Sequence, residues 1–102
     1  MLVSTAYYPT ENASKYIQQL CKHFAHKVEA GYADNRGHAA LPPGPAEMVA
    51  DPAGLTVRVS APDLKGIIQA RFAIDSHLVT FAHREGFSGL TWMLETPPAN
   101  TA

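Results

Sequence analysis

The chain has 102 residues, 46% of them hydrophobic, and its eight basic and nine acidic side chains give a formal net charge of −1. This length predicts one domain that buries a core without metals or disulfides. The balanced charge argues against nucleic-acid binding, which usually needs a basic surplus. A single cysteine excludes an internal disulfide, and no apolar run reaches the roughly 20 residues that span a bilayer. We therefore expect a cytoplasmic protein with neither nucleic acid nor membrane as a partner.

The first half of the chain predicts a strand, a helix and four further strands. Val3–Tyr8 is rich in β-branched and aromatic residues, which favour a strand. After a break at residues 9–12, apolar side chains recur at helical spacing, so we expect a helix over Ala13–Lys27, capped by Thr10 or Asn12. Clusters of Gly, Pro, Asp and Asn then separate four short predicted strands, which are Val28–Tyr32, His38–Leu41, Ala46–Ala50 and Leu55–Ser60.

The second half of the chain predicts a long helix and one last strand. Pro62 suits the first turn of a helix, and the apolar pattern extends that helix over Asp63–His83. Gly86 ends it, and the alternating apolar residues that follow predict a strand over Phe87–Leu94. On the helix, nine apolar side chains span about half the circumference and are expected to pack on the sheet, namely Leu64, Ile67, Ile68, Phe72, Ile74, Leu78, Val79, Phe81 and Ala82.

The order β-α-β-β-β-β-α-β predicts an α+β fold, in which two helices pack on one face of an antiparallel sheet. Residues 1–95 form a single α+β domain in this prediction, and the Pro- and Thr-rich residues 96–102 form a flexible C-terminal tail. A sheet that is covered on one side leaves its other face to water, to a second subunit or to a ligand. The open face is therefore a candidate surface for function.

Four of the five histidines lie in two short charged segments, residues 21–27 and 77–85. On the first helix Cys21 falls inside the apolar stripe and is expected to be buried, whereas His26 falls almost opposite to it. His23 lies at the boundary, three residues from His26, and residues at this spacing are neighbours on a helix surface. Two such imidazoles can hold a divalent metal if His77 or Glu85 supplies a third ligand.

Charged side chains around these histidines favour a different ligand. Lys22 and Lys27 flank the first pair, and two ammonium groups repel a divalent cation and attract an anion. On the second helix His77 and Arg84 fall on one line, while His83 points about 120° away from His77. Glu85 at the C-terminal end of that helix is disfavoured by the helix dipole. It therefore needs a partner, for which Lys22, His23 and Lys27 are candidates.

One further charged pair lies on the apolar face of the second helix. Arg71 and Asp75 are four residues apart, so we expect a partly buried ion pair that marks a structural constraint or a subunit contact. The chain has no sequence motif for several other kinds of site. It has no glycine-rich phosphate loop, no nucleophile elbow, no Cys-x-x-Cys pair and no paired carboxylates.

The blocks at residues 22–27 and 77–85 resemble those of the bacterial domain-of-unknown-function family 2218. The resemblance runs from the helix start at Ala13 to the strand at Trp92, and the family often has an aromatic residue at the position of His83. It implies a small bacterial protein with a loose association with iron and siderophore utilisation. Some members carry the name dihydroxyheptenedioate aldolase, but aldolases of that kind are metal-dependent (β/α)₈ barrels, for which 102 residues are too few.

Three functions follow as hypotheses. The first is a binding or accessory protein that takes a small anionic ligand, a metal complex or a protein partner and requires no cofactor. Its surface would consist of Lys22, His23, His26, Lys27, His77, Arg84 and Glu85. The second is a divalent-metal protein that uses His23 and His26 with His77 or Glu85. The third is a small enzyme with His23 or His77 as a general base.

A homodimer is a further expectation, because a small sheet covered on one side leaves apolar area exposed. The residues that we expect in such an interface are Trp92, Met93, Met48 and Val49.

Overall fold

The computed structural model describes residues 1–95, and the predicted tail at residues 96–102 lies outside them. The elements follow the predicted order and confirm the α+β class. They are β1 (Leu2–Pro9), α1 (Ala13–Phe24), β2 (Ala30–Ala33), β3 (Arg36–Ala39), β4 (Ala46–Asp51), β5 (Gly54–Ala61), α2 (Leu64–Phe81), a 3₁₀ turn (His83–Glu85) and β6 (Trp92–Leu94).

The six strands form one sheet in the order β2-β3-β4-β5-β1-β6, and every neighbouring pair is antiparallel. The first strand of the chain therefore lies near one edge, between β5 and β6. Its register with β5 runs from Leu2 opposite Ala61 to Pro9 opposite Gly54. Side chains alternate along each strand, so one sheet face packs on both helices and the other faces outwards.

The core lies between the helices and the inner face of the sheet. Strands β4 and β5 contribute alternate residues, and each helix contributes a stripe, as the periods of 2 and 3.6 residues require. The largest fully buried side chains include Ile17, Leu20, Met48, Leu55, Val57, Val59, Ile67, Ile74 and Leu78. Because Met48 faces the helices and is 1% exposed, it is not available to a dimer interface, and this part of the homodimer prediction is wrong.

Helix α1 is shorter than the sequence predicted. It ends at Phe24, and the backbone N–H groups of His26 and Lys27 donate to the carbonyls of His23 and Phe24 in a tighter turn. This turn places Lys27 and Val28 at a pocket that Ala73 of α2 and Leu41 of the β3–β4 loop also line. Cys21 is buried as expected, with its thiol donating to the Gly31 carbonyl at 3.3 Å.

Helix α2 buries only one narrow stripe. Asp63 caps its N-terminus by accepting a hydrogen bond from the Gly66 N–H. The prediction that half of its circumference packs on the sheet is wrong for four apolar side chains, which are 42–70% exposed. They are Leu64, Ile68, Phe72 and Val79.

The last strand is also shorter than predicted. Gly86 and Gly89 adopt positive φ angles of 74° and 142°, which a continuous strand does not allow. Only Trp92–Leu94 pairs with β1, after a loop in which Phe87 is buried. The loop is held on α2 because the Leu90 N–H donates to the Asp75 carboxylate at 3.0 Å.

Candidate functional site

The structure brings together one histidine from each charged segment. His23 lies in the last turn of α1 and His77 in the C-terminal half of α2, and their ring centroids are 4.1 Å apart, with the ring planes inclined by 51°. Phe24 packs edge-on against the His77 ring at 5.1 Å, and Phe81 packs against His23 at 6.4 Å. The two imidazoles therefore form a contact between the helices, bordered by aromatic rings.

The hydrogen bond that His77 makes determines which of its ring nitrogens is available to a ligand. Its Nδ1 lies 2.6 Å from the Ala73 carbonyl oxygen, one helical turn earlier. A carbonyl oxygen only accepts hydrogen bonds, so Nδ1 carries a proton and donates it. In the neutral ring Nε2 is then the acceptor, and it becomes a second donor when the imidazole is protonated.

The surroundings of His23 disfavour its charged form. Burial against α2 lowers the pKa of His23 below its ordinary value of 6.5, and the nearby His77, His26 and Lys27 lower that pKa further by electrostatic repulsion. At neutral pH the His23 ring is therefore uncharged, and the fixed positive charge at this end of the helix pair belongs to Lys27.

A pocket of about 220 Å³ opens beside the histidine pair, and we call it the helix pocket. Its basic or imidazole members are His23, Lys27 and His77, and the other lining side chains are apolar. The apolar members come from α1, from the turn after it, from the β3–β4 loop and from α2, and they are Phe24, Val28, Leu41, Pro42 and Ala73. Among residues 1–95 no carboxylate lines the pocket, so its electrostatic potential favours an anion.

The remaining members of the predicted surface lie elsewhere. Lys22 lines a separate shallow hollow near Ala30 and Tyr32, and His26 is exposed in the turn after α1. Arg84 is exposed in the 3₁₀ turn. Of the seven residues proposed from the sequence as one surface, three line the helix pocket and four do not.

The three histidines proposed as metal ligands are not arranged around one point. Within residues 1–95, no group of three or more His, Cys, Asp or Glu side chains could hold a metal ion. His26 lies in the turn beyond α1, and Glu85 is engaged in a different set of contacts. Two of the proposed metal ligands, His23 and His77, are therefore adjacent. The third ligand that the metal hypothesis requires is absent from residues 1–95.

The sequence offered Lys22, His23 and Lys27 as candidate partners of Glu85, but this prediction is wrong. The Glu85 carboxylate instead accepts hydrogen bonds from uncharged side chains. Tyr8 and Thr10 each donate a hydroxyl at 2.9 Å, Asn12 donates its amide at 2.7 Å, and Tyr16 donates a further hydroxyl. These donors come from β1, from the loop after it and from the first turns of α1. The carboxylate thus joins the N-terminal end of α1 to the turn that follows α2.

The same contacts shift two acid–base equilibria in opposite directions. The Tyr16 hydroxyl, followed by the Asn12, Tyr8 and Thr10 groups, stabilises the carboxylate and lowers the pKa of Glu85 to about 2, although burial opposes this shift. Burial, together with the nearby carboxylate, raises the pKa of Tyr16 to about 12. Glu85 is therefore ionised and Tyr16 protonated across the physiological range, and neither acts as a proton carrier there.

The predicted ion pair between Arg71 and Asp75 does not form. Asp75 instead accepts the Trp92 indole N–H at 2.9 Å, and Arg71 lies over the indole ring at 5.6 Å from its centroid. Both side chains of α2 therefore hold β6, and each has a neutral partner that the spacing of four residues does not reveal.

Sequence reasoning missed the apolar walls of the helix pocket and the donors around Glu85. Leu41 and Pro42 belong to a loop whose position depends on the sheet register, for which the sequence holds no local signal. Asn12 and Tyr16 do carry a local sequence signal, because their spacing of four residues places an amide and a hydroxyl on the same helix flank as His23.

Comparisons with known proteins agree with this architecture. The family model described as "Uncharacterized protein conserved in bacteria (DUF2218)" matches residues 5–93. The NMR structure of PA4090 from Pseudomonas aeruginosa is similar, with 28% sequence identity and a TM-score of 0.76 over 91% of this chain and 96% of that one. No curated protein matches the chain. In the part that the structure describes, no helix is long and apolar enough to cross a membrane. The chain therefore belongs to the DUF2218 family of uncharacterized bacterial proteins.

Proposed function

We propose that this chain is a binding protein for a small anion with an apolar body, and that the ligand occupies the helix pocket. The observation that carries the proposal is the contact between His23 and His77, 4.1 Å apart, beside Lys27 in a pocket whose other lining residues are apolar. Ligand sites commonly combine an apolar lining with a few convergent polar groups that fix orientation.

The chemistry of the lining selects the ligand class. The Lys27 ammonium is a fixed positive charge, and His77 has its Nε2 available to bind a second oxygen after protonation. Phe24 and Leu41 contribute apolar surface to the pocket. Contact between this surface and an apolar ligand body removes both from water, which favours binding. A volume of about 220 Å³ is below the roughly 300–1,000 Å³ of sites for drug-sized ligands. The ligand that fits best is therefore a single-ring or short-chain carboxylate.

Binding should depend on pH. The pKa of His23 is lowered by burial and by neighbouring positive charge, and a bound carboxylate would offset part of that repulsion. The imidazole then takes up a proton when the anion binds, so the apparent affinity rises as the pH falls below about 6.5.

The test compares benzoate with benzyl alcohol and benzylamine, which share the ring but are neutral and cationic. Isothermal titration calorimetry should detect benzoate, with weaker binding of the alcohol and weakest binding of the amine. Lys27→Gln and His77→Gln should each weaken benzoate binding by about three- to tenfold.

The matched controls lie on the same helix segment but outside the helix pocket. Lys22→Gln and His26→Gln remove the same side-chain types and should leave the affinity unchanged. Equal binding of all three probes, or equal effects of the pocket variants and the control variants, would show that the helix pocket is not the site.

Iron or siderophore utilisation stays a prediction drawn from the family resemblance, and no contact among residues 1–95 bears on it. General-base catalysis by His23 or His77 likewise stays a prediction. With His77 as the base it would use the same Nε2 atom, and with either residue it would require turnover of the bound ligand in addition to binding.

A further inference from the structure

The face of the sheet that points away from the helices carries polar side chains in rows across the strands. The register places His38 opposite Glu47, Glu47 opposite Arg58, and Arg58 opposite Thr5. The row ends at β2, which puts Gly31 opposite His38. The edge strand therefore has almost no side chain on the outer face, where the neighbouring strands have long polar ones.

This difference in side-chain length creates a hollow of about 560 Å³ on the outer face of β2, β3 and β4, which we call the sheet hollow. Gly31 lines it on β2, and Val49 adds an apolar surface on β4. Its charged or imidazole lining residues are Asp34, Arg36, His38 and Glu47. The volume lies within the range that small-molecule sites occupy.

Gly31 makes room for the His38 imidazole at the sheet hollow. A Cβ atom at this position would lie 3.3 Å from Cε1 of His38, which is closer than most such contacts. The absence of a side chain lets the imidazole lie over β2 and cover part of the strand. A planar or aliphatic group of a ligand can therefore pack on the His38 ring, which lines the hollow.

Two opposite charges border the sheet hollow without neutralising each other. Arg36 lies opposite Val49, and Glu47 is two residues from Val49 on the same strand. The arginine and the glutamate are therefore diagonal neighbours, and the backbone positions of such neighbours are about 7–8 Å apart. Among the described residues, the ion pairs are His38 with Glu29 at 3.4 Å and Arg58 with Glu95 at 3.8 Å. The guanidinium of Arg36 and the carboxylate of Glu47 thus face the hollow with no ionic partner in residues 1–95.

We propose that the sheet hollow binds a small zwitterion of the α-amino acid type. Arg36 holds the carboxylate through its forked N–H groups, and Glu47 accepts hydrogen bonds from the ammonium group. The ligand side chain packs against the His38 ring and Val49.

The charges of the two concave sites distinguish their ligands. The helix pocket is lined by Lys27 and two imidazoles and by no carboxylate, so it favours a simple anion. The sheet hollow has Asp34 and Glu47 beside Arg36 and His38, so an anion without a positive group would meet repulsion there. A ligand that carries both charges satisfies both sides of the hollow.

The test uses three forms of one molecule with the full-length protein. L-Leucine carries both charges, N-acetyl-L-leucine keeps only the carboxylate, and L-leucine amide keeps only the ammonium group. In a two-dimensional ¹H–¹⁵N NMR titration we expect L-leucine to shift the amide signals of Gly31, Arg36 and Val49. Each capped form should bind about three- to tenfold more weakly than L-leucine.

Variants assign each contact. Arg36→Gln should weaken L-leucine binding without weakening that of L-leucine amide, while Glu47→Gln should weaken L-leucine binding without weakening that of N-acetyl-L-leucine. Arg58→Gln is the matched control, because Arg58 lies on the same face but already contacts Glu95 at 3.8 Å, and it should change none of the three affinities.

Two results would overturn the proposal. One is an absence of shifts at the sheet hollow with millimolar L-leucine, and the other is equal affinity for the three forms. Shifts at Phe24, Lys27 and Ala73 report the helix pocket instead, so the outcomes for the two sites are read from separate signals.

Discussion

The indole N–H of Trp92 donates to the Asp75 carboxylate at 2.9 Å, and the same carboxylate accepts the backbone N–H of Leu90 at 3.0 Å. One side chain of α2 therefore holds both the last loop and the last strand. Replacement of Asp75 by alanine leaves two half-buried donors without their acceptor. We expect Asp75→Ala to lower the free energy of unfolding by about 1–3 kcal/mol.

Trp92 is the single tryptophan of the chain, so its fluorescence reports this contact directly. Its emission should shift to longer wavelength in Asp75→Ala as the ring becomes more hydrated. Glu11→Ala removes an exposed carboxylate and should change neither the emission nor the urea midpoint. An unchanged midpoint in Asp75→Ala would contradict the role assigned to this residue.

The Glu85 carboxylate should control the titration of Tyr16. Burial is the first cause that raises the pKa of Tyr16 to about 12, and contact with Glu85 is the second. In Glu85→Gln the charge is lost, so the pKa of Tyr16 should fall while staying above its ordinary value of 10.0. Near-ultraviolet absorbance of tyrosinate measures this shift. Tyr16→Phe should abolish the same high-pH step, and its persistence there would assign the step to another tyrosine.

The same carboxylate should stabilise the fold against acid. The folded pKa of Glu85 is about 2, below its ordinary 4.5, mainly through the Tyr16 hydroxyl. Its contribution is therefore complete above pH 4.5 and is lost as the pH falls towards 2. Because Glu85 is exposed to solvent, screening reduces the size of this effect. Urea midpoints measured across this range should fall less steeply in Glu85→Gln than in the native chain.

His23 should produce a second loss of stability on acidification, which begins at a higher pH than the loss caused by Glu85. Its folded pKa is lowered by burial and then by His77, His26 and Lys27, so the unfolded chain binds a proton more readily. Stability is therefore constant above about pH 6.5 and falls as the pH drops from there to the folded pKa. His23→Gln should remove this decline, whereas His26→Gln should retain most of it. Identical pH profiles for the two variants would contradict the assignment.

Gly37 of β3 lies in close contact with side chains of α1. A Cβ at this position would lie 2.5 Å from Cγ2 of Ile17 and 2.8 Å from Sγ of Cys21. Gly37→Ala should therefore cost about 1–3 kcal/mol through overpacking. In an Ile17→Ala background the same substitution should cost less, because the space is then available. Equal costs in both backgrounds, measured by urea unfolding, would show that the contact is not the cause.

The order of the elements could be predicted because it depends on local signals. Turn-forming residues and the spacing of apolar side chains identify the strands and helices from short stretches of sequence alone. The burial of Cys21 followed in the same way from its position on the α1 stripe. These features do not depend on which strand lies beside which.

The rest of the site depends on tertiary contacts that local patterns do not encode. The apolar side chains of helix α2 span about half of its circumference, so periodicity could not show that Ile67 and Ile74 are buried while Phe72 is exposed. A search for charge complementarity likewise could not find the partners of Glu85, because hydroxyl and amide groups supply all of its hydrogen bonds. His23 and His77 were recognised as candidates, but their contact depends on how α1 and α2 cross.

The position of β1 between β5 and β6 has a consequence for how the chain acquires its fold. Both ladders of β1 are made with strands from the second half of the chain, so β1 stays without a partner while the intervening elements are synthesised. Closing such long loops before their contacts form slows folding. During synthesis the exposed β1 segment, with Val3, Tyr7 and Tyr8, is then the part of the nascent chain that is most open to incorrect pairing.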